Sequence, residues 1–174
     1  MAARYKAATK AAERLLVDSV ISEPPVDVEA LAAQLGIRVR REPFDGKLSG
    51  LLKRAEGGAI LGVNSQHPMS RQRFTIAHEI GHFLLHSEDL HVDHGIGIRF
   101  RDDTSSQAID DAEIEANQFA SHLLMPASFL EQDIRASGQI DVEDDEQIKL
   151  IADKYGVSTQ AMTLRLAKFF QFGF

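Results

Sequence analysis

The chain has 174 residues, of which 44% are hydrophobic, 26% charged and 7% aromatic, the size and make-up of one domain folding on its own core. It has no cysteine, which excludes a disulfide framework, a thiolate zinc finger, an iron–sulfur cluster and a cysteine nucleophile, so any metal must be held by histidine, carboxylate or water. The net charge of −7 is unevenly spread: residues 1–86 carry 12 basic and 9 acidic side chains, residues 87–174 carry 7 and 17. A half so acidic repels phosphate backbones, which makes nucleic acid an unfavoured partner. No apolar run reaches the length of a membrane span, and the first residues lack the apolar stretch of a signal peptide, so the expected location is the cytoplasm.

The elements follow from periodicity and breakers. Ala3 to Ile21 is an alanine-rich helix closed by Ser22-Glu23-Pro24-Pro25, and Val28, Leu31, Ala32 and Leu35 mark a short second helix capped at Gly36. Ile37 to Arg40, Leu48 to Leu52 and Ala59 to Val63 read as strands, the last two joined as a hairpin by Lys53 to Gly58. Ser70 to about His86 is a strongly apolar helix with Ser70 as its expected N-cap. Residues 87–106 are expected to form a long loop around an extended piece in which Ile96, Ile98 and Phe100 alternate. Helices are then expected at Ser106 to Leu124, where Met125-Pro126 stops the run, at Ala127 to Ala136, at Glu143 to Tyr155 and at Ser158 to Phe170. The fold class is therefore α+β, with helices on a small, mainly antiparallel sheet.

The chemistry is concentrated in His78-Glu79-Ile80-Gly81-His82. At about 100° per residue, His78 and His82 lie about 40° apart and one turn along a helix, so both imidazoles can reach one ion. Glu79, one position on, projects beside that ion, where its carboxylate can take a proton from an attacking water and pass it to a leaving amine. A catalytic site needs a third protein ligand. The pattern H-E-x-x-H-x-x-G-x-x-H does not supply it, because Leu85 and Glu88 stand where glycine and histidine are required. In the helix ending at Leu124, Glu113 shares a stripe with Ala116, Asn117, Ala120 and Leu124, whose alanines permit close approach, whereas Glu115 lies about 200° away. Glu113 is the favoured ligand and Asn117, one turn on, the group that orients a histidine or the carboxylate. For stabilising the oxyanion, His91, His94, Arg99, Arg101, His122, Tyr5 and Tyr155 all remain open, and His86 reads as an orienting or packing residue.

Several runs here are similar to those of the ImmA/IrrE zinc metallopeptidases: Asp27 to Leu35, Leu48-Ser49-Gly50, Gly62-Val63-Asn64, Arg71 to His82, Glu113 to Ala120, and Leu123-Leu124-Met125-Pro126. The resemblance covers about residues 26–126. It implies zinc held by His78, His82 and Glu113 with Glu79 as general base, in a thermolysin-like core whose sheet edge holds substrate in extended form. It also implies a protein substrate, typically a helix-turn-helix repressor, cut to regulate phage, mobile-element or stress genes. The donor set itself admits manganese or iron as well as zinc. The expected organisation is a metallopeptidase domain over residues 1–135 and a C-terminal helical segment over 136–174, packed on the same domain.

Two rival readings compete with hydrolysis. In one, the metal only staples two helices of an interaction protein, such as a toxin–antitoxin or antirepressor component. In the other, Ile148 to Lys168 is a DNA-binding helix-turn-helix, but Lys149, Lys154, Arg165 and Lys168 are balanced there by Asp144, Asp145, Glu146 and Asp153, whereas groove readers are basic. The N-terminal cations Arg4, Lys6, Lys10 and Arg14 read as a solvated helix face. Phe169, Phe170, Phe172 and Phe174 are costly to leave in water, so core packing, a dimer contact or a cleft wall is expected for them.

Overall fold

The helix α1 (Tyr5–Asp18) buries Ala8, Ala12 and Leu16, one residue per turn, and keeps Lys6, Lys10 and Arg14 exposed, as the periodicity requires. It belongs to a computed structural model that describes residues 4–45, 48–93, 105–137, 140–142 and 144–172. After it, α2 (Val28–Gln34) is started by Asp27, whose carboxylate accepts from the amides of Glu29 and Ala30, and ended by Gly36 at φ +74°, a left-handed conformation that costs glycine little.

Strands β1 (Ile37–Glu42), β2 (Gly50–Ala55), β3 (Gly58–Asn64) and β4 (Leu90–Asp93) form one sheet in the order β1-β3-β2-β4. The strand β2 runs antiparallel to both of its neighbours, while β1 runs parallel to β3, with Ile37 opposite Ala59 and Arg41 opposite Val63. The sheet is thus mixed, not simply a meander, because α2 precedes β1 and the chain reverses between β1 and β2 to reach β3 from its other side. Ile37, Leu52, Ala59, Leu61 and Val63 are buried beneath α2 and α3 (Met69–Leu85), while Arg38 and Lys53 are exposed.

The last strand was not legible in sequence. Its alternation is inverted: Leu90 and Val92 are exposed and His91 and Asp93 turn inward. A rule that puts apolar residues inside cannot find a strand whose inner face is polar because it lines a site. The alternative strand at Ile96 to Phe100 lies outside the described residues.

Helix α3 begins at Met69 after Pro68, not at a Ser70 cap, and Ser70 sits in its first turn. From within the first turns of α3, the Gln72 side-chain amide donates back to the carbonyls of Ser65 at 3.3 Å and His67 at 2.7 Å, which fixes the entry of the chain. At the other end Arg54 donates to the carbonyls of Phe83 at 2.7 Å and His86 at 2.6 Å, satisfying groups that a helix terminus leaves without partners.

The remaining helices are α4 (Ser105–Leu124), α5 (Ala127–Ser137), α6 (Asp145–Tyr155) and α7 (Thr159–Phe172). Ile148, Ala152, Tyr155, Met162 and Leu166 of the tail join the same buried cluster as Ile76, Ile80, Phe119 and Leu123. Arg73 ties this tail to α3: its Nε donates to the Gly156 carbonyl at 3.1 Å and its Nη2 to that of Val26 at 2.8 Å. Gly156 itself is left-handed at φ +65°, and a Cβ there would stand 2.7 Å from Arg73 Nε. Phe169 packs against the core and Phe170 is half exposed, while the side chains of Phe172 and Phe174 lie outside the described residues. No helix among the described residues is long and apolar enough to cross a membrane.

Candidate metal centre

Helices α3 and α4 meet where both are small. A Cβ at Gly81 would stand 3.1 Å from the Phe119 ring and 3.2 Å from the Cα of Ala116, so glycine inside the histidine motif is what lets α4 come so close. That approach carries Glu113 to His78 and His82. The two imidazoles present Nε2 atoms 3.0 Å apart. The Glu113 carboxylate oxygens lie 3.4 Å from His78 Nε2 and 3.3 Å from His82 Nε2. From the sheet, β4 adds His91, whose Nε2 is 3.2 Å from Glu113 and whose ring stacks on that of His82 with centroids 3.6 Å apart.

These four residues offer one donor atom each, all within 4.8 Å of one another. Donors held about 2.0–2.1 Å from one ion at tetrahedral angles are about 3.4 Å apart, so the spacing of the group fits a divalent cation. Nitrogen and carboxylate donors suit zinc, manganese or iron, and nothing in the set selects among them.

Glu79 stands beside the group and not in it. It is fully buried, its carboxylate oxygens have no hydrogen-bond partner, and burial pushes its carboxyl up to about 8. Strand β2 passes directly over it: a Cβ at Gly50 would stand 2.5 Å from Thr75 Cγ2 and 3.2 Å from Glu79 Oε1. Several motif residues hold that strand in place. Arg71 donates to Ser49 Oγ at 2.9 Å, and the Asn64 amide donates to the Leu48 carbonyl at 2.8 Å while its oxygen accepts from the Gln66 amide at 3.0 Å.

Burial also drives His82 down to about 3, leaving it neutral with its lone pair available. For Glu113, burial opposes ionisation, but the proximity of His78 and His82 outweighs it and holds the carboxyl well below the usual range. Asn117 Oδ1 is 3.1 Å from His78 Nδ1. Glu115 points the other way and is buried too: it accepts from the Arg4 backbone amide at 2.7 Å and from its guanidinium at 3.1 and 3.0 Å, fastening α1 to α4. The Arg4 cation expected on a solvated face is therefore engaged.

Of the groups weighed for the oxyanion, the structure brings His91 to the centre and leaves others away from it. The Tyr155 hydroxyl donates to Asp133 at 2.9 Å, His122 packs with Gln118 and Arg165, and Tyr5 is exposed. His94, Arg99 and Arg101 lie outside the described residues. His86 is adjacent, its ring 5.2 Å from that of His82, with Glu115 at 3.9 Å. His91 had no spacing signal as a metal donor, since it is far from both histidines in turns of helix and reaches them only through the sheet.

Comparison with known proteins agrees with this architecture. A family described as the IrrE N-terminal-like domain, a family of peptidases, matches residues 32–167. Among solved structures, a Mycobacterium tuberculosis transcriptional regulator is similar in fold, with a TM-score of 0.60 at 17% identity. The similarity covers 97% of this chain and 48% of that one, so the chain spans about half the length of that protein. No curated protein matches. With most of its length matched, the centre and its two helices included, the chain belongs to the IrrE N-terminal-like peptidase family.

Proposed function

We propose that the protein is a metal-dependent endopeptidase, zinc being the expected ion, that cuts a specific protein, with a helix-turn-helix repressor as the expected substrate. His78, His82 and Glu113 would hold the ion. When bound, a divalent cation supplies Lewis acidity there, polarising a scissile carbonyl and drawing the pKa of water towards neutrality. Glu79 accepts the proton of the attacking water and delivers it to the leaving amine; its burial denies it any other partner. Asn117 holds the His78 ring by accepting from Nδ1. In this reading the short strand β4, at one end of the sheet order, would align an extended substrate.

The observation that carries this reading is Glu79: a fully buried carboxyl group without a hydrogen-bond partner, set beside a group of metal donors whose bound cation would favour its ionised, proton-accepting form. A centre that only joins helices has no need of such a group. The similarity to a transcriptional regulator supports a place in gene control. A protein role for the tail is supported by three of its four cations: Lys149 pairs with Asp153, Lys154 with Asp133, and Arg165 is buried against the Met125 carbonyl.

The test is a mass-spectrometric survey of new protein N-termini in host cells making the parent or Glu79→Gln. A discrete cut seen only with the parent supports the proposal and names the substrate. A second reading, in which the metal staples α3, α4 and β4 of a non-catalytic interaction protein, is favoured by the fourth donor His91. Identical profiles with metal bound in both proteins would favour that reading or an enzyme awaiting its activating signal.

A further inference from the structure

We infer that His91 is a fourth, removable metal ligand, delivered by β4, that closes the centre until this strand withdraws it. The inference deepens the metal-centre reading above and rests on it. Three observations carry it. First, His91 Nε2 lies 3.2 Å from Glu113 Oε1, as near as His82 Nε2 at 3.3 Å from that oxygen and His78 Nε2 at 3.4 Å from Oε2. These are the separations of donors sharing one ion, whereas Glu79 Oε1 is farther off, at 3.9 Å from His91 Nε2. Second, His91 Nε2 is buried and makes no hydrogen bond, and the polar atoms facing it are the carboxylate oxygens of Glu113 and Glu79 at 3.2 and 3.9 Å, so its lone pair is aimed into an acidic group that a cation would neutralise. Third, the ring is stacked on that of His82 with centroids 3.6 Å apart at an interplanar angle of 21°, which holds it beside a residue of the group.

The consequence follows from coordination number. Three protein donors leave a tetrahedral ion one position for water, and four leave none. His78, His82 and Glu113 come from two long helices packed at Gly81, whereas His91 comes from a strand of only four residues whose flanking Leu90 and Val92 are exposed. The fourth donor is therefore the one whose removal disturbs the core least. Substrate or a partner that engages β4 would open the position that hydrolysis requires.

The test counts ligands instead of turnovers. X-ray absorption of the full chain loaded with zinc should show three imidazoles in the parent and two in His91→Ala. Competition with a chelator should show the variant releasing zinc at least about tenfold more readily. In the cobalt-loaded proteins, added azide should shift the visible spectrum of His91→Ala and leave that of the parent unchanged. Two imidazoles in the parent would overturn the assignment of His91 as a ligand. Three imidazoles with an azide response equal to that of the variant would overturn the closure. The imidazole count and the azide response of the parent need no substitution, so together they decide the ligand assignment and the closure even if His91→Ala does not fold. None of these readings depends on peptide cleavage, so they hold or fail separately from the peptidase proposal.

Discussion

Asn117 Oδ1 lies 3.1 Å from Nδ1 of His78, while the other nitrogen of the same ring, Nε2, faces Glu113 at 3.4 Å. An amide oxygen can only accept, so it keeps the ring proton on Nδ1 and leaves Nε2 with a free lone pair. Asn117→Ala should weaken metal binding about 10- to 100-fold with little change in the fold, measured by chelator competition and circular dichroism. Affinity equal to that of the parent would show that the bond does not orient the ring.

Glu79→Gln keeps the shape of the buried side chain and removes its basicity. Turnover of an identified substrate should fall by about 10²- to 10⁴-fold or more with metal content unchanged. Retained activity would assign the proton transfer elsewhere.

The path of β2 over α3 depends on the missing side chain at Gly50. Gly50→Ala places a Cβ 2.5 Å from Thr75 Cγ2, and overpacking of this kind costs about 1–3 kcal/mol. Thr75→Ser removes the offending methyl, so the double substitution should recover most of the stability in urea denaturation. Failure to recover would place the strain at Glu79 Oε1, the next contact at 3.2 Å.

His122 sits between the Gln118 amide, 2.8 Å away, and the Arg165 guanidinium. Burial first, then the Arg165 and Lys168 charges, push it down to about 4. In the unfolded chain it titrates near 6.5, so its neutral form costs nothing above that pH. As pH falls from 6.5 towards 4 the unfolded state takes the proton and folding stability is lost. In metal-free protein, the stability advantage of the parent over His122→Gln should therefore shrink across that window, by up to about 3 kcal/mol. A difference that is constant between pH 7 and pH 4 would exclude the mechanism.

Metal removal should lower the melting temperature of the parent, because an ion that binds only the folded state stabilises it by mass action. The same chelator should leave the melting temperature of His82→Ala nearly unmoved. Equal shifts in the two proteins would mean that the stabilising ion is bound elsewhere.

The sequence by itself determined the helices and two members of the candidate metal-binding group, because helical geometry is local. His78 and His82 share a face whatever surrounds them, and Glu79 must then stand to one side. Glu113 was favoured over Glu115 on the same basis, since the stripe of Ala116 and Ala120 is the one that permits close approach. Tertiary structure alone decided what crosses between elements. It turned Glu115 onto Arg4, set Gly50 against Thr75, placed β1 parallel to β3, and brought His91 to the histidines from a strand whose polar residues face inward. Periodicity reports which residues of one element share a side. Only the packing of separate elements settles which sides meet.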